Sequence, residues 1–330
     1  MIQSLLIENF RGFESLKIEP LKGINLIAGE NSTGKTAILE AIYLLFFRET
    51  GQLENLPSIF RARQDDYISF WPFLPPEGEL TSGGQPVSSA VRARDDGQQT
   101  LTCRIQVQAN QTVTVSHSAQ GRHPATAFII KPGYGEGGFN PAERRFLVFS
   151  GRVSDPRQDA EIYNQASLPD GNEQLILEFM KVLEPRLQRL RYAKVRGAAE
   201  PTLYAYVGLK NPIPVTQAGQ GFCKLLTLFC AMLMSKAQVL LIDELENGLY
   251  YSILPQIWRG IAALAESEVI QVFATTHSRE CIVAAHEAMK ETGKYNFALH
   301  RLQRVKNRIE AITLDQEKIE VAVKSGLEVR

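Results

Sequence analysis

The sequence predicts an α/β fold: a mixed sheet flanked by helices, with antiparallel strands and a helical lobe beside it. Three observations predict it. The apolar strand INLIA runs straight into the glycine-bearing turn AGENSTGKT and then into a helix. From Gln217 onward, apolar strands alternate with helices, the pattern of a parallel sheet with covered faces. Between these regions, residues 48–215 are rich in Pro and Gly and carry alternating apolar–polar runs instead.

Taken in order, residues 3–28 read as three short strands. SLLIE and SLKIE alternate, and INLIA is nearly all apolar. TAILEAIYLLFF sets Ile38, Ala41, Ile42 and Leu45 at helical spacing. LPSIF, PFLPPEGEL and TSGGQPV read as loops, and TLTCRIQVQANQTVTVSHS as an antiparallel pair turning near Asn110. KPGYGEGGFNP is a loop before the strand RFLVFSG, and EQLILEFMKVLEPRLQRL reads as helix interrupted at Pro185. A helix from Phe222 to about Ser235 leads to the buried strand QVLLIDE. Then come a helix with Ile253, Ile257, Ile261 and Leu264 in line, the strand VIQVFATTH, and a helix from about Arg279. FALHRLQRVKNRIEAITL reads as a hairpin turning near Asn307, and DQEKIEVAVKSGL as a last helix. No internal repeat and no long heptad run occurs.

A chain of 330 residues with 44% apolar residues buries a substantial core and is not disordered. Lys+Arg and Asp+Glu both number 36, and this zero net charge neither demands nor excludes nucleic acid. Cys103, Cys223, Cys230 and Cys281 are spread out with no CxxC pair, which suits a reducing compartment. The start, MIQSLLIENFRGF, is charged where a signal peptide is apolar, and no apolar run reaches 18 residues. A cytoplasmic protein without a membrane span is expected. His117, His123, His286 and His300 show no metal-ligand spacing, so Mg²⁺ is the one metal expected.

Three motifs carry chemistry. GENSTGKT matches G-x-x-x-x-G-K-[ST] between a strand and a helix. Gly29, Glu30, Asn31, Ser32, Thr33 and Gly34 would curl their N–H groups around phosphates at a helix N-terminus. Lys35 would reach the β- and γ-phosphates, and the Thr36 hydroxyl would hold Mg²⁺. LLIDE delivers two acids at a strand end, where open α/β sheets bind ligands. Asp243 would hold Mg²⁺, directly or through water, and Glu244 would orient and deprotonate an attacking water. Adjacent residues point oppositely along a strand, so this pair suits the place where the chain turns. ATTHS ends the next strand with His277, which either bonds the γ-phosphate or attacking water or is a helix-entry histidine beside the capping Ser278.

With GENSTGKT, AGQGFCKLL, VLLIDELENGLYY and ATTHS in this order, the chain resembles the ABC-type ATPase superfamily in its SMC-like, RecF-like and OLD-nuclease-like branch. The opening NFRGF resembles the start of that branch, and the likeness covers residues 1–47 and 215–290. It implies a P-loop NTPase with an ABC-like ATPase head spanning 1–330. The core would come from 1–47 and 215–330, with an inserted β/helical lobe at 48–214. It implies ATP and Mg²⁺, and ATP sandwiched at a head-to-tail homodimer interface. Gly219, Gln220 and Gly221 of one copy would face the γ-phosphate held by the other, two glycines allowing close backbone approach.

The sequence departs from that pattern in places. Gly219 stands where a serine is usual, and Tyr250 of NGLYY where an aspartate is frequent. Gln64 and the segment after RFLVFSG compete for the Q-loop. By resemblance Arg11 lies near the nucleotide; its plain reading is an exposed surface arginine. OLD-type relatives carry a C-terminal nuclease, but here Glu310, Asp315, Glu317 and Glu320 form no strand-end cluster. The resemblance therefore implies a separately encoded nuclease or effector, as in DNA repair or phage defence.

Other readings stay open. The basic runs Arg186, Arg189, Arg191, Lys194, Arg196 and Arg301, Arg304, Lys306, Arg308 either track the phosphates of DNA or are solvated faces, and zero net charge favours the latter. Tyr67, Phe70, Trp71 and Phe73 lie among prolines and read as loop packing rather than a stacking platform. Against an ATP-hydrolysing enzyme stand a nucleotide-gated binding or scaffold module with negligible turnover and a transporter-type ATPase subunit. Intact Lys35, Thr36, Asp243 and Glu244 disfavour the first, and the NFRGF start and long insertion the second.

Overall fold

The structure, a computed structural model, describes residues 1–46, 87–107, 113–119, 126–130, 146–149, 156–194, 201–234, 237–306 and 308–325. The turns near Asn110 and Asn307, the KPGYGEGGFNP loop, the segment after RFLVFSG, Gln64, Tyr67, Phe70, Trp71, Phe73, His123 and Arg196 lie outside these residues.

Strands β1 (Ile2–Phe10), β2 (Phe13–Ile18) and β3 (Ile24–Gly29) lead into helix α1 (Lys35–Phe46), as the alternation and the helical spacing predict. Next come β4 (Val87–Asp95), β5 (Thr100–Val107), β6 (Val113–Ala119), β7 (Thr126–Ile130) and β8 (Phe146–Phe149). Helices α2 (Pro156–Ala166) and α3 (Asn172–Met180) precede β9 (Arg189–Ala193), β10 (Thr202–Tyr206) and β11 (Ile213–Pro214). The remainder is α4 (Gln220–Met234), β12 (Val239–Ile242), α5 (Leu254–Ser267), β13 (Gln271–Thr276), α6 (Arg279–Glu291), the hairpin β14 (Phe297–Val305)–β15 (Arg308–Leu314) and α7 (Gln316–Lys324).

Two six-stranded sheets face each other. The first, in the order β2-β1-β4-β5-β6-β7, is antiparallel throughout. The second, β15-β14-β3-β13-β12-β8, is parallel except for its β15 edge. Strand alternation divides the parallel sheet's side chains between two cores. Val239, Leu241, Ile27 and Phe273 join α1 and the antiparallel sheet, through Leu5, Ile7, Val91 and Ile105. Leu240, Ile242, Leu26 and Val272 face the helical side, with Leu226, Phe229, Trp258 and Ile282. β8, from within 48–214, forms the edge of the parallel sheet, and β4 from the same range pairs with β1.

Two readings are corrected. The helix predicted through EQLILEFMKVLEPRLQRL ends at Met180, and Arg189–Ala193 is a strand pairing antiparallel with β10. Pro185 cannot continue a helix, and past it Leu190 is buried between exposed Arg189 and Arg191, the period of a strand rather than a helix. β4 begins at Val87, the last residue of the run TSGGQPV read as loop, and buries Val91 and Ala93 on alternate positions against β1.

Candidate functional site

β3, β13 and β12 lie side by side in the parallel sheet, so their carboxyl ends open onto one crevice. β3 delivers residues 29–34 and the first turn of α1; β12 delivers Asp243 and Glu244; β13 delivers His277. The three motifs meet there across more than two hundred positions of sequence. Thr36 Oγ1 donates to Asp243 Oδ2 at 3.2 Å.

The Gly29–Thr36 loop curls because three of its residues take positive φ: Gly29 at 155°, Ser32 at 63° and Gly34 at 90°. Gly34 is also needed for space, since a Cβ there would lie 2.5 Å from Phe13 Cζ at the start of β2. The β1–β2 turn thus buttresses the loop. Lys35 is buried, and its Nζ donates to the carbonyls of Gly29 (2.8 Å) and Glu30 (2.9 Å). Burial pushes its pKa down, while the carboxylates of Glu244, Asp243 and Glu246 pull it back up. Glu30, Asn31 and Ser32 are exposed at the mouth, and Thr33 is buried with its hydroxyl on Glu30 O at 2.9 Å.

Asp243 is fixed by two hydroxyls, Thr36 and the fully buried Thr275, whose Oγ1 donates to Oδ1 at 2.6 Å. The same Thr275 oxygen accepts from Glu244 N at 2.9 Å. Glu244 takes a φ of 48°, so the chain turns where the two acids sit, and the carboxylates of both act on the Lys35 ammonium. Asn247 Nδ2 donates to Glu244 Oε2, and Lys224 Nζ donates to the Glu244 and Leu245 carbonyls at 2.8 and 3.2 Å. His277 Nδ1 lies 3.8 Å from Glu244 Oε1 and 3.3 Å from Glu246 Oε1. Glu246 Oε1 also accepts from Thr276 Oγ1 (2.7 Å) and His277 N (3.0 Å). Ser278 caps α6, accepting from Cys281 N at 3.1 Å, so the cap and the histidine's place at the crevice coexist.

The two glycines before α4 differ. Gly219, at φ 102°, is exposed with open space where a Cβ would stand. Gly221 is buried, and its Cβ would lie 2.5 Å from Gly248 O, so its clearance is used by the chain's own acidic loop. Gln220 between them is exposed.

Arg11 is not an exposed surface arginine. Its side chain is 10% exposed, and Nε binds Oε2 of the fully buried Glu40 of α1 at 2.9 Å. Lys224, Thr275, Glu246 and Asn247 were not singled out from sequence. Their only signals were a basic residue one turn past the glycines, a second threonine before His277, and a third acid and its neighbouring amide in LIDELEN.

Outside the crevice, several of the residues weighed from the sequence have structural partners. Asp315 caps α7, Glu320 pairs with Lys290 and Lys324, Arg308 with Glu14, and Arg186 with Glu184; the Arg189 guanidinium lies 3.9 Å over Tyr206. His117 bonds Leu44 O, His286 bonds Tyr295, and His300 bonds Thr313 and Asn25. Among the described residues no three His, Cys, Asp or Glu gather as a metal cluster, and no helix is long and apolar enough to cross a membrane.

Comparison with known proteins agrees with this geometry. An AAA-domain family model matches residues 4–126. A second, described as "AAA domain, putative AbiEii toxin, Type IV TA system", matches residues 114–282, just over half the chain. The chain is 25% identical to an ATP/GTP phosphatase of Helicobacter pylori over 337 residues, covering 88% of this chain and 89% of that protein. It is 37% identical over 67 residues to the DNA replication and repair protein RecF of Pseudoalteromonas translucida, 20% of this chain and 18% of that one. Among solved structures, an SMC head bound to the C-winged helix domain of ScpA aligns with a TM-score of 0.61 at 14% identity, over 96% of this chain and 99% of that one. The SMC head domain of Thermotoga maritima aligns at 0.51 and 13% identity, over 95% and 99%. These structures share the fold, a mixed α/β head.

Proposed function

The chain belongs to the AAA-domain family of that second description and is an SMC/RecF-like ABC ATPase, and from that premise we propose that it hydrolyses ATP between two copies of itself. The observation that carries the proposal is the meeting of Lys35, Thr36, Asp243 and Glu244 at the carboxyl ends of adjacent parallel strands.

In this reading the loop Gly29–Thr36 wraps the phosphates with its main-chain N–H groups, at the positive end of α1. Lys35 leaves the carbonyls of Gly29 and Glu30 for the β- and γ-phosphates. The Thr36 hydroxyl and Asp243 would hold Mg²⁺, and they fit it. Two oxygens at about 2.1 Å from one octahedral cation lie about 3 Å apart, and these two stand 3.2 Å apart. Mg²⁺ would neutralise developing charge on the phosphates. Glu244 takes a proton from the attacking water, and His277, braced by Glu246, bonds that water or the γ-phosphate.

Gly219, Gln220 and Gly221 of the second copy complete the site. Gly219 and Gln220 are exposed at the α4 N-terminus, as a surface meant for another molecule requires. The chain is then one head, 1–330, with its core from 1–47 and 215–330. Residues 48–214 supply the β and helical lobe and lend β8 to the core sheet. Nucleotide state would license a separately encoded nuclease or other effector, or DNA, in DNA repair or phage defence in the cytoplasm. The RecF relative that suggests DNA matches this chain over less than a third of its own length.

Steady-state release of phosphate from Mg-ATP tests the reading. Turnover is expected in the wild type, and Lys35→Ala is expected to lower kcat/KM by about 10²–10³-fold. Equal rates in the two proteins would overturn it.

A further inference from the structure

Lys224 lies one turn into α4, three residues beyond Gly221, yet its ammonium is spent on another loop. It binds the main-chain carbonyls of Glu244 and Leu245. Glu244 at φ 48° is in a conformation that a residue with a side chain holds only where its surroundings fix it. The peptide groups around it are fixed from two directions: Thr275 Oγ1 takes its N–H, and Lys224 takes its carbonyl. Four residues on, Gly248 O packs against Gly221 so closely that no Cβ fits. The first turn and a half of α4 therefore grips both ends of the 244–248 loop. Lys224 is part-buried where it makes these bonds; burial lowers its pKa, and the carboxylates of Glu246, Glu244 and Asp243 offset part of that shift.

We propose that Lys224 is a positioning residue that ties the placement of Glu244 to the α4 N-terminus. When Gly219–Gly221 engage the nucleotide of a second copy, the carboxylate acting on the chain's own nucleotide is thereby set. This rests on the two-copy site proposed above and adds its coupling. Each chain senses the other's ATP through α4 and responds at its own Glu244, so hydrolysis depends cooperatively on ATP. Neither the P-loop nor the nucleotide touches Lys224 in this scheme, so ATP affinity is not its office.

The test compares wild type, Lys224→Met and Lys224→Arg for fluorescent ATP-analogue affinity, kcat, KM and the Hill coefficient of hydrolysis. Losing two hydrogen bonds from a charged donor predicts a roughly ten- to hundredfold fall in kcat for Lys224→Met. Affinity is expected to stay within about twofold, the Hill coefficient to fall to about 1 from a wild-type value above it, and Lys224→Arg to recover most of both. Hydrogen exchange of the wild type supplies an independent reading: ATP is expected to protect 219–226 and 243–249 together. A cooperative wild type with a Lys224→Met variant of unchanged kcat and Hill coefficient overturns the coupling and leaves the two-copy site standing. Protection of 219–226 without 243–249 overturns it even if Lys224→Met does not fold. A wild type that stays monomeric and non-cooperative with ATP overturns the two-copy site, and the coupling with it.

Discussion

In the loop from Gly29 to Thr36 the contacts that set its shape are short in sequence. Lys35 binds the carbonyls of Gly29 and Glu30, Thr33 binds Glu30, and positive φ at Gly29, Ser32 and Gly34 does the rest. In the loop from Asp243 to Gly248, beside the local Asn247–Glu244 bond, they come from elsewhere: Thr36 from α1, Thr275 and Thr276 from β13, Lys224 and Gly221 from α4. The first loop is closed mainly by its own contacts, with Phe13 of β2 packed against Gly34. The second is held by three other elements, so movement in any of them moves its acids. A triphosphate grip needs the first kind of construction, and a switchable hydrolytic centre needs the second.

Substitutions break this contrast in order of size. The largest effect is expected at the acid itself. Glu244→Gln keeps the loop's geometry and removes the base, so kcat should fall by about 10²–10⁴-fold while ATP affinity is retained. Single-turnover hydrolysis with a separate binding titration checks it. Thr275→Val removes the hydroxyl that serves both Asp243 and Glu244. It should cost about ten- to hundredfold in kcat, with a smaller loss of nucleotide affinity because the Gly29–Thr36 loop is untouched. Gly34→Ala acts on the other loop. With φ at 90° and Phe13 2.5 Å from the new methyl, it should destabilise the fold by about 1–3 kcal/mol in denaturant titration.

The smallest effect is with pH. Burial holds the Lys35 pKa below the ordinary 10.5. Phosphate binding needs the ammonium, so ATP affinity should weaken as pH rises through that lowered pKa, and Lys35→Ala should lack this alkaline limb. Stability moves the other way. The unfolded chain keeps the proton to higher pH than the folded one. The cost of burying the ammonium, present below the folded pKa, is relieved as pH climbs from there toward 10.5.

The same contrast decides what the sequence could show. GENSTGKT was legible because its chemistry and shape are written in eight consecutive residues, and the strands and helices around it because their periods of 2 and 3.6 are local. Asp243 and Glu244 were legible as types and as a strand end, but not how they are held. Nothing near LLIDE announces that Thr275 or Lys224 will reach it. Arg11 misled for a related reason: its partner Glu40 sits on the apolar helix α1, where a buried carboxylate is not expected, and only the fold brings them together. The β9 strand was missed because a helical pattern before Pro185 was carried past it.

The most direct test of ATP held between two copies is the solution mass of the Glu244→Gln protein, by light scattering, with and without Mg-ATP. The account predicts a monomer that becomes a dimer with two ATPs per pair, and a Gly219→Arg change in the same background that binds ATP but stays monomeric. A Glu244→Gln protein saturated with ATP and still monomeric would contradict it.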